Sequence, residues 1–176
     1  MDYEIMMNGI VKIGTYAPEF EATSTMGKIK LSNYRGKWVV FFSHPGDFTP
    51  VCTTEIISFS RLNEIFKSLN TCLIGLSVDS NASHLAWLYD IYLKTGIKVP
   101  FPIIADRNGE IARKYGMISN EINNAETVRN VFIIDPKRNS KDDTCISYEY
   151  WKMYTRNYKN SSSFASCRYV KCIYAS

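Results

Sequence analysis

The sequence holds no Cys-x-x-Cys pair, only two histidines, and no long apolar run. Each shortage removes a class of function. Without Cys-x-x-Cys, the dithiol of a disulfide oxidoreductase is missing. The five cysteines, Cys52, Cys72, Cys145, Cys167 and Cys172, are odd in number, which argues against the disulfide framework of a small secreted domain. His44 and His84 show no metal-ligand spacing, so neither a metal nor any other cofactor is expected. No segment approaches the roughly 18 apolar residues of a membrane span. The opening MDYEIMMNGI carries acids and no secretory pattern, so the expected compartment is the cytoplasm, with no membrane partner.

Charge excess is also absent from most of the chain. The net charge is +4, but residues 1–136 sum to −1 and residues 137–176 to +5. The main body therefore offers no basic surface for nucleic acid. With 45% hydrophobic and 22% charged residues, 176 residues suit one globular domain. The last forty residues differ in kind. They contain no Leu and no Gly, yet hold six of the twelve tyrosines and three of the five cysteines. The expected organisation is a domain over 11–136 and an aberrant basic tail over 137–176.

What is present is an alternation of strands and helices. FEATSTMGKIKL (20–31) predicts a short hairpin turning at Met26-Gly27. KWVVFFS (37–43) and CLIGLSVD (72–79) predict buried strands. Between them, Thr49 suits an N-cap and Pro50 the first helical position, and Phe59, Leu62, Phe66 and Leu69 follow at helical spacing. A second helix is expected over 81–96, with Leu85, Leu88, Tyr89 and Tyr92 on one face and Gly96 near its stop. PFPIIAD (100–106) and TVRNVFIID (127–135) predict further strands, with a short helix from Gly109 to Tyr115 between them. The pattern is α/β, a sheet covered by helices.

Cys52 falls in the first turn of the helix capped at Thr49. Unpaired backbone N–H groups and the positive end of the helix dipole favour an anion there, here the thiolate. A thiolate is a nucleophile suited to peroxide. On position alone, a buried core thiol is the commoner outcome. Thr49 lies one turn earlier with a hydroxyl to offer, and Pro45 is placed to shield the sulfur from water.

The whole string SHPGDFTPVCTTE (43–55) resembles the active-site signature of the peroxiredoxins, Pro-x-x-x-(Thr/Ser)-x-x-Cys, with Pro45, Thr49 and Cys52 filling it. His-Pro before it and Thr-Thr-Glu after it are similar to the one-cysteine type. The resemblance continues through GLSVDS (75–80), VPFPIIAD (99–106) and AETVRNVFIID (125–135), and spans about Val11 to Pro136. It implies a thioredoxin-like fold and a thiol-dependent peroxidase. Cys52 would attack hydrogen peroxide or an organic hydroperoxide and become a sulfenic acid. The family's active-site arginine maps onto Arg129, which would hold the thiolate and orient the peroxide. His44, Val51 and Glu55 are pocket candidates, the first two at the pocket edge and near the backbone amides, Glu55 as a loop anchor or a complement to the helix end. His84 is expected to be solvated, and Cys72 to be inert packing. An external thiol such as thioredoxin or glutathione would recycle the enzyme, and family members form homodimers or larger rings. The alternative is an inactive or binding-only remnant.

Beyond Lys137 the family's final strand and helix are not visible. Dropping one A from a run of A's at Lys137–Arg138 lets permitted codons read KGIVRTILVYPMNTGRCIREIIRIVVALQ. That string contains the family's Tyr-Pro and Thr-Gly-Arg. Residues from about Arg138 onward are therefore expected to be a frame-shifted translation, leaving the last strand and helix missing and Cys145, Cys167 and Cys172 without a role.

Overall fold

The computed structural model describes Val11, residues 17–118 and residues 126–136. The expectations placed on residues 137–176 lie outside these described residues. Six strands are present: β1 (Glu21–Ser24), β2 (Gly27–Lys30), β3 (Trp38–Ser43), β4 (Thr71–Ser77), β5 (Ile103–Ala105) and β6 (Val131–Ile134). Among the described residues three α-helices and a 3-10 helix (Leu31–Tyr34) accompany them: α1 (Pro50–Ser68), α2 (Asn81–Thr95) and α3 (Glu110–Lys114). The strands form one sheet in the order β2-β1-β5-β4-β3-β6. β3, β4 and β5 run parallel, while β6 is antiparallel to β3 and β1 antiparallel to β5. This mixed sheet between layers is the α/β architecture that the element pattern predicts, and the thioredoxin-like fold that the resemblance implies.

The continuous apolar runs of β3 and β4 follow from burial on both faces. Successive side chains alternate between two clusters. Val39 and Phe41 pack with Ile74, Leu76, Phe20 and Tyr115 on one side. Val40 and Phe42 pack with Leu73 and with Ile56, Phe66, Trp87 and Ile91 of α1 and α2 on the other. Aromatic rings tie each layer: Phe41 lies 4.9 Å from Tyr115 in an edge-on contact, and Phe42 stacks on Phe59 at 4.6 Å. Because β3 and β4 are parallel, both deliver their last residues to the same edge of the sheet. That edge carries the residues 43–52 and 77–79 that build the site below, as expected for ligand sites of α/β sheets.

Two expectations need correction. The hairpin turns at Thr25-Met26, and Gly27 with φ +91° already opens β2. The stripe Leu85, Tyr89 and Tyr92 is not the buried face of α2: all three are exposed, and His84, Trp87 and Ile91 point inward. The helix carries apolar residues on both sides, so its periodicity does not decide its rotation. Trp87 Nε1 donates to Thr53 Oγ1 at 3.1 Å, one of the polar ties that does.

Candidate active site

Chain geometry first brings Cys52 into place. Thr49 takes the extended N-cap conformation (φ −80°, ψ 143°) and Pro50 fills the first helical position. The Thr49 hydroxyl does not cap the helix. It donates back to Gly46 O at 3.1 Å. Only at Thr53 does the helical ladder begin, with Thr53 N–H donating to Thr49 O. The amides of Val51 and Cys52 are thus not occupied by the cap hydroxyl, and the helix end stays available to an anion. Cys52 itself is completely buried, while Val51 beside it is exposed and Pro45 half-buried.

Arg129 reaches Cys52 from a segment distant in sequence. Residues 127–130 are stitched to the end of β3. Ser43 N–H donates to Asn130 O at 2.9 Å, Asn130 N–H to Ser43 Oγ at 3.1 Å, and Ser43 Oγ–H to Val128 O at 2.5 Å. Thr127 Oγ1 donates to His44 O at 2.6 Å. Held this way, Arg129 places Nη2 3.2 Å from Cys52 Sγ and Nη1 against Glu55 Oε2. One guanidinium therefore bridges the sulfur and a carboxylate on the same helix. Burial pushes the Glu55 carboxyl up, and the charge and hydrogen bond of Arg129 offset this only in part.

Behind the loop lies a polar cluster whose centre has no mark in the sequence. Asp47, its side chain only 2% exposed, sits between the two histidines. Its Oδ1 is 3.0 Å from His44 Nε2, and its Oδ2 is 2.8 Å from His84 Nδ1. Burial pushes the Asp47 carboxyl up, but bonds from His44, His84 and Ser83 outweigh it and hold the group well below the usual carboxylate range. The Asp47 N–H donates to Asp79 Oδ2 at 2.9 Å, and Ser77 Oγ–H supports that same oxygen at 3.0 Å. His84, expected in solvent, is fully buried, because its ring spans Asp47 and the carbonyl of Ile104. Asp47 lies three residues from His44, but its link to His84 is 37 residues long and has no local signature. Among the described residues these three side chains are also the group whose ligand atoms, all within 4.8 Å of one another, come nearest to a metal-binding set.

The other described cysteine is differently placed. Cys72 is the second residue of β4, half-buried. Burial pushes its thiol up, with Lys37 only partly offsetting this.

A cysteine in the first turn of a helix that follows an inner strand of such a sheet, with an arginine on its sulfur, defines a thioredoxin-like thiol protein. Residues 13–141 match the family model described as AhpC/TSA family, and the chain belongs to that family. Among its relatives is peroxiredoxin 2 of Caldanaerobacter subterraneus subsp. tengcongensis, 61% identical over 127 residues, or 72% of this chain and 58% of that one. Another is peroxiredoxin 2 of Picrophilus torridus, 59% identical over 128 residues, covering 73% and 63%. This chain thus spans about three fifths of the length of these curated relatives. Among solved structures, a mutant peroxiredoxin 6 of Arenicola marina superposes with TM-score 0.66 at 41% identity, covering 72% of this chain and 60% of that one. A yeast mitochondrial 1-Cys peroxiredoxin, solved for its thiol resolving mechanism via glutathione/thioredoxin systems, gives 0.64 at 40%, covering 73% and 64%.

Proposed function

We propose that this chain is a thiol-dependent peroxidase acting on hydrogen peroxide and organic hydroperoxides, with Cys52 as nucleophile. The observation that carries this reading is the 3.2 Å approach of Arg129 Nη2 to Cys52 Sγ at an uncapped helix start. The guanidinium and the dipole favour the thiolate. The thiolate attacks one peroxide oxygen, the S–O bond forms as the O–O bond breaks, and Cys52 becomes a sulfenic acid. The departing oxygen leaves as alkoxide or hydroxide and takes a proton, giving alcohol or water. Thr49 has its proton committed to Gly46 O, so its lone pairs serve to accept from the peroxide O–H. The amides of Val51 and Cys52, with Arg129, stabilise the charge moving along the O–O bond. Pro45 covers the sulfur, His44 lines the edge and Glu55 orients the guanidinium.

An external thiol, thioredoxin or glutathione, then condenses with the sulfenic acid, releasing water and leaving a mixed disulfide. A second thiol frees Cys52. Cys72 is a poor resolving group because burial keeps its thiol protonated. The yeast 1-Cys relative, whose thiol is resolved via glutathione/thioredoxin systems, supports an external reductant here. Assembly into a homodimer or larger ring is part of the same reading. The test is peroxide consumption by the purified chain with an external thiol, and the mass of Cys52 after peroxide alone. One added oxygen on Cys52 supports the reading; an undiminished rate in Cys52→Ser defeats it.

We also propose that the tail from about Arg138 is a frame-shifted translation. Its composition supports this. The coding DNA decides it: codons at Lys137–Arg138 without an A run remove the idea.

A further inference from the structure

We propose that His84 is a positioning residue of the Cys52 site: a buried imidazolium that clamps Asp47, fixes the tautomer of His44 and holds the loop that turns into α1. The inference rests on the peroxidase reading for its kinetic consequence, but not for the charge state it assigns. It begins with hydrogen-bond accounting. His84 Nδ1 lies 3.0 and 2.8 Å from the two Asp47 carboxylate oxygens, and His84 Nε2 lies 3.2 Å from Ile104 O. A carboxylate and a carbonyl only accept, so both ring nitrogens must donate. Asp47 takes contacts at both oxygens, Oδ1 from His44 and Oδ2 from His84, as an ionised carboxylate does, and its carboxyl is held below the usual range. His84 is therefore doubly protonated, and its charge balances that of Asp47 inside a site that both side chains share with almost no solvent.

His44 follows from the same accounting. Its Nε2 faces Asp47 Oδ1 at 3.0 Å and donates to it. Its Nδ1 is buried with no hydrogen-bond partner. A proton there would leave a second buried positive charge and an unsatisfied donor. His44 is thus the neutral Nε2–H tautomer with Nδ1 as an open acceptor. The other charged groups near the cluster are Asp79, whose carboxylate accepts from the Asp47 N–H, and the Glu55–Arg129 ion pair at the sulfur.

The clamp matters because of the next residue. Phe48 is a non-glycine in the left-handed region, at φ +59°, and is exposed, at 55%. Asp47 is gripped through its carboxylate by His84 and His44 and through its N–H by Asp79, and Thr49 is tied to Gly46 O. The strained turn is imposed from both sides. It directs the chain into α1 so that Cys52 meets Arg129. Loss of the His84 charge loosens Asp47, relaxes Phe48 and misplaces the sulfur.

Two measurements on the full chain test this. In a histidine-15N-labelled sample at about pH 8, where a free imidazole is neutral, nitrogen NMR should show one ring with two protonated nitrogens. The other ring should be protonated at Nε2 alone. With two histidines in the chain, His44→Gln assigns them. A neutral His84, or a purified protein carrying a stoichiometric divalent metal that displaces these protons, overturns the proposal. In the second measurement, His84→Gln keeps a donor but no charge, and should slow oxidation of Cys52 by hydrogen peroxide by ~10–100-fold. Adding Phe48→Gly should recover about tenfold of that loss, because glycine adopts the turn without strain. A purely structural role for His84 would not be repaired at an exposed residue. A wild-type rate in His84→Gln, or no recovery in the double variant, also overturns it. If the unaltered chain fails to reduce peroxide, the peroxidase reading falls while the NMR result still decides the charge state.

Discussion

Around Cys52 the chain gathers an uncapped helix start, a guanidinium from a segment 77 residues away and a polar cluster drawn from the loops after β3 and β4 and from α2. Around Cys72 it supplies the second position of a strand and a lysine at a distance. Cys52 is fully buried and Cys72 is half-buried, so exposure ranks them in the wrong order for chemistry. The difference lies in what surrounds each sulfur once it carries charge. At Cys52 a guanidinium and helix amides without a side-chain cap face the sulfur, whereas at Cys72 burial favours the neutral thiol.

The comparison breaks most visibly at the nucleophile. Cys52→Ser should abolish peroxide consumption, while Cys72→Ala should leave the rate within about twofold, both read in the same thiol-coupled assay. Next comes the arginine. Arg129→Lys keeps the charge but loses the fork that serves Sγ and Glu55 together, and the rate of Cys52 oxidation should fall about 100-fold. Stopped-flow mixing with peroxide measures it, and an unchanged rate would make Arg129 a bystander.

A third effect is on stability. Asp47→Asn leaves the buried His84 without its charge partner and should cost about 3 kcal/mol in denaturant unfolding at neutral pH. The sign with pH follows from the depressed Asp47 carboxyl. Its contribution is present above the ordinary carboxylate range and is lost as pH falls through the depressed value. The variant should therefore lose less stability on acidification than the unaltered chain.

The smallest effect belongs to Glu55. Burial raises its carboxyl, so protonation on mild acidification weakens its hold on Arg129. The rate should drop a few-fold on that acid limb, and Glu55→Gln should remove the limb while starting from the lower rate.

Much of this is legible in the sequence because it is local. The apolar runs of β3 and β4, the Pro50 start of α1 and the placement of Cys52 depend on neighbours a few residues away. Arg129 is legible only through its motif, since nothing in TVRNVF by itself points an arginine at a sulfur. The burial of His84 runs against expectation for the same reason. A histidine on a helix that is apolar on both faces has no local signal of which way it turns. The deciding contacts, His84 to Asp47 and Trp87 to Thr53, close over 37 and 34 residues. Thr49 does stand at the N-cap, yet its hydroxyl turns back to Gly46 O, a choice set by loop geometry that residue type does not specify.

The stitching of residues 127–130 to the end of β3 also has a bearing on how the protein is made. Cys52 leaves the ribosome 77 residues ahead of the arginine that serves it. At about 5–20 residues/s, that interval is roughly 4–15 s. For that time the nascent chain carries a thiol without its guanidinium. Strand β6, at the sheet's edge among the described residues, pairs with β3 beside that segment, so the site's arginine is acquired only once residues 127–134 have been made.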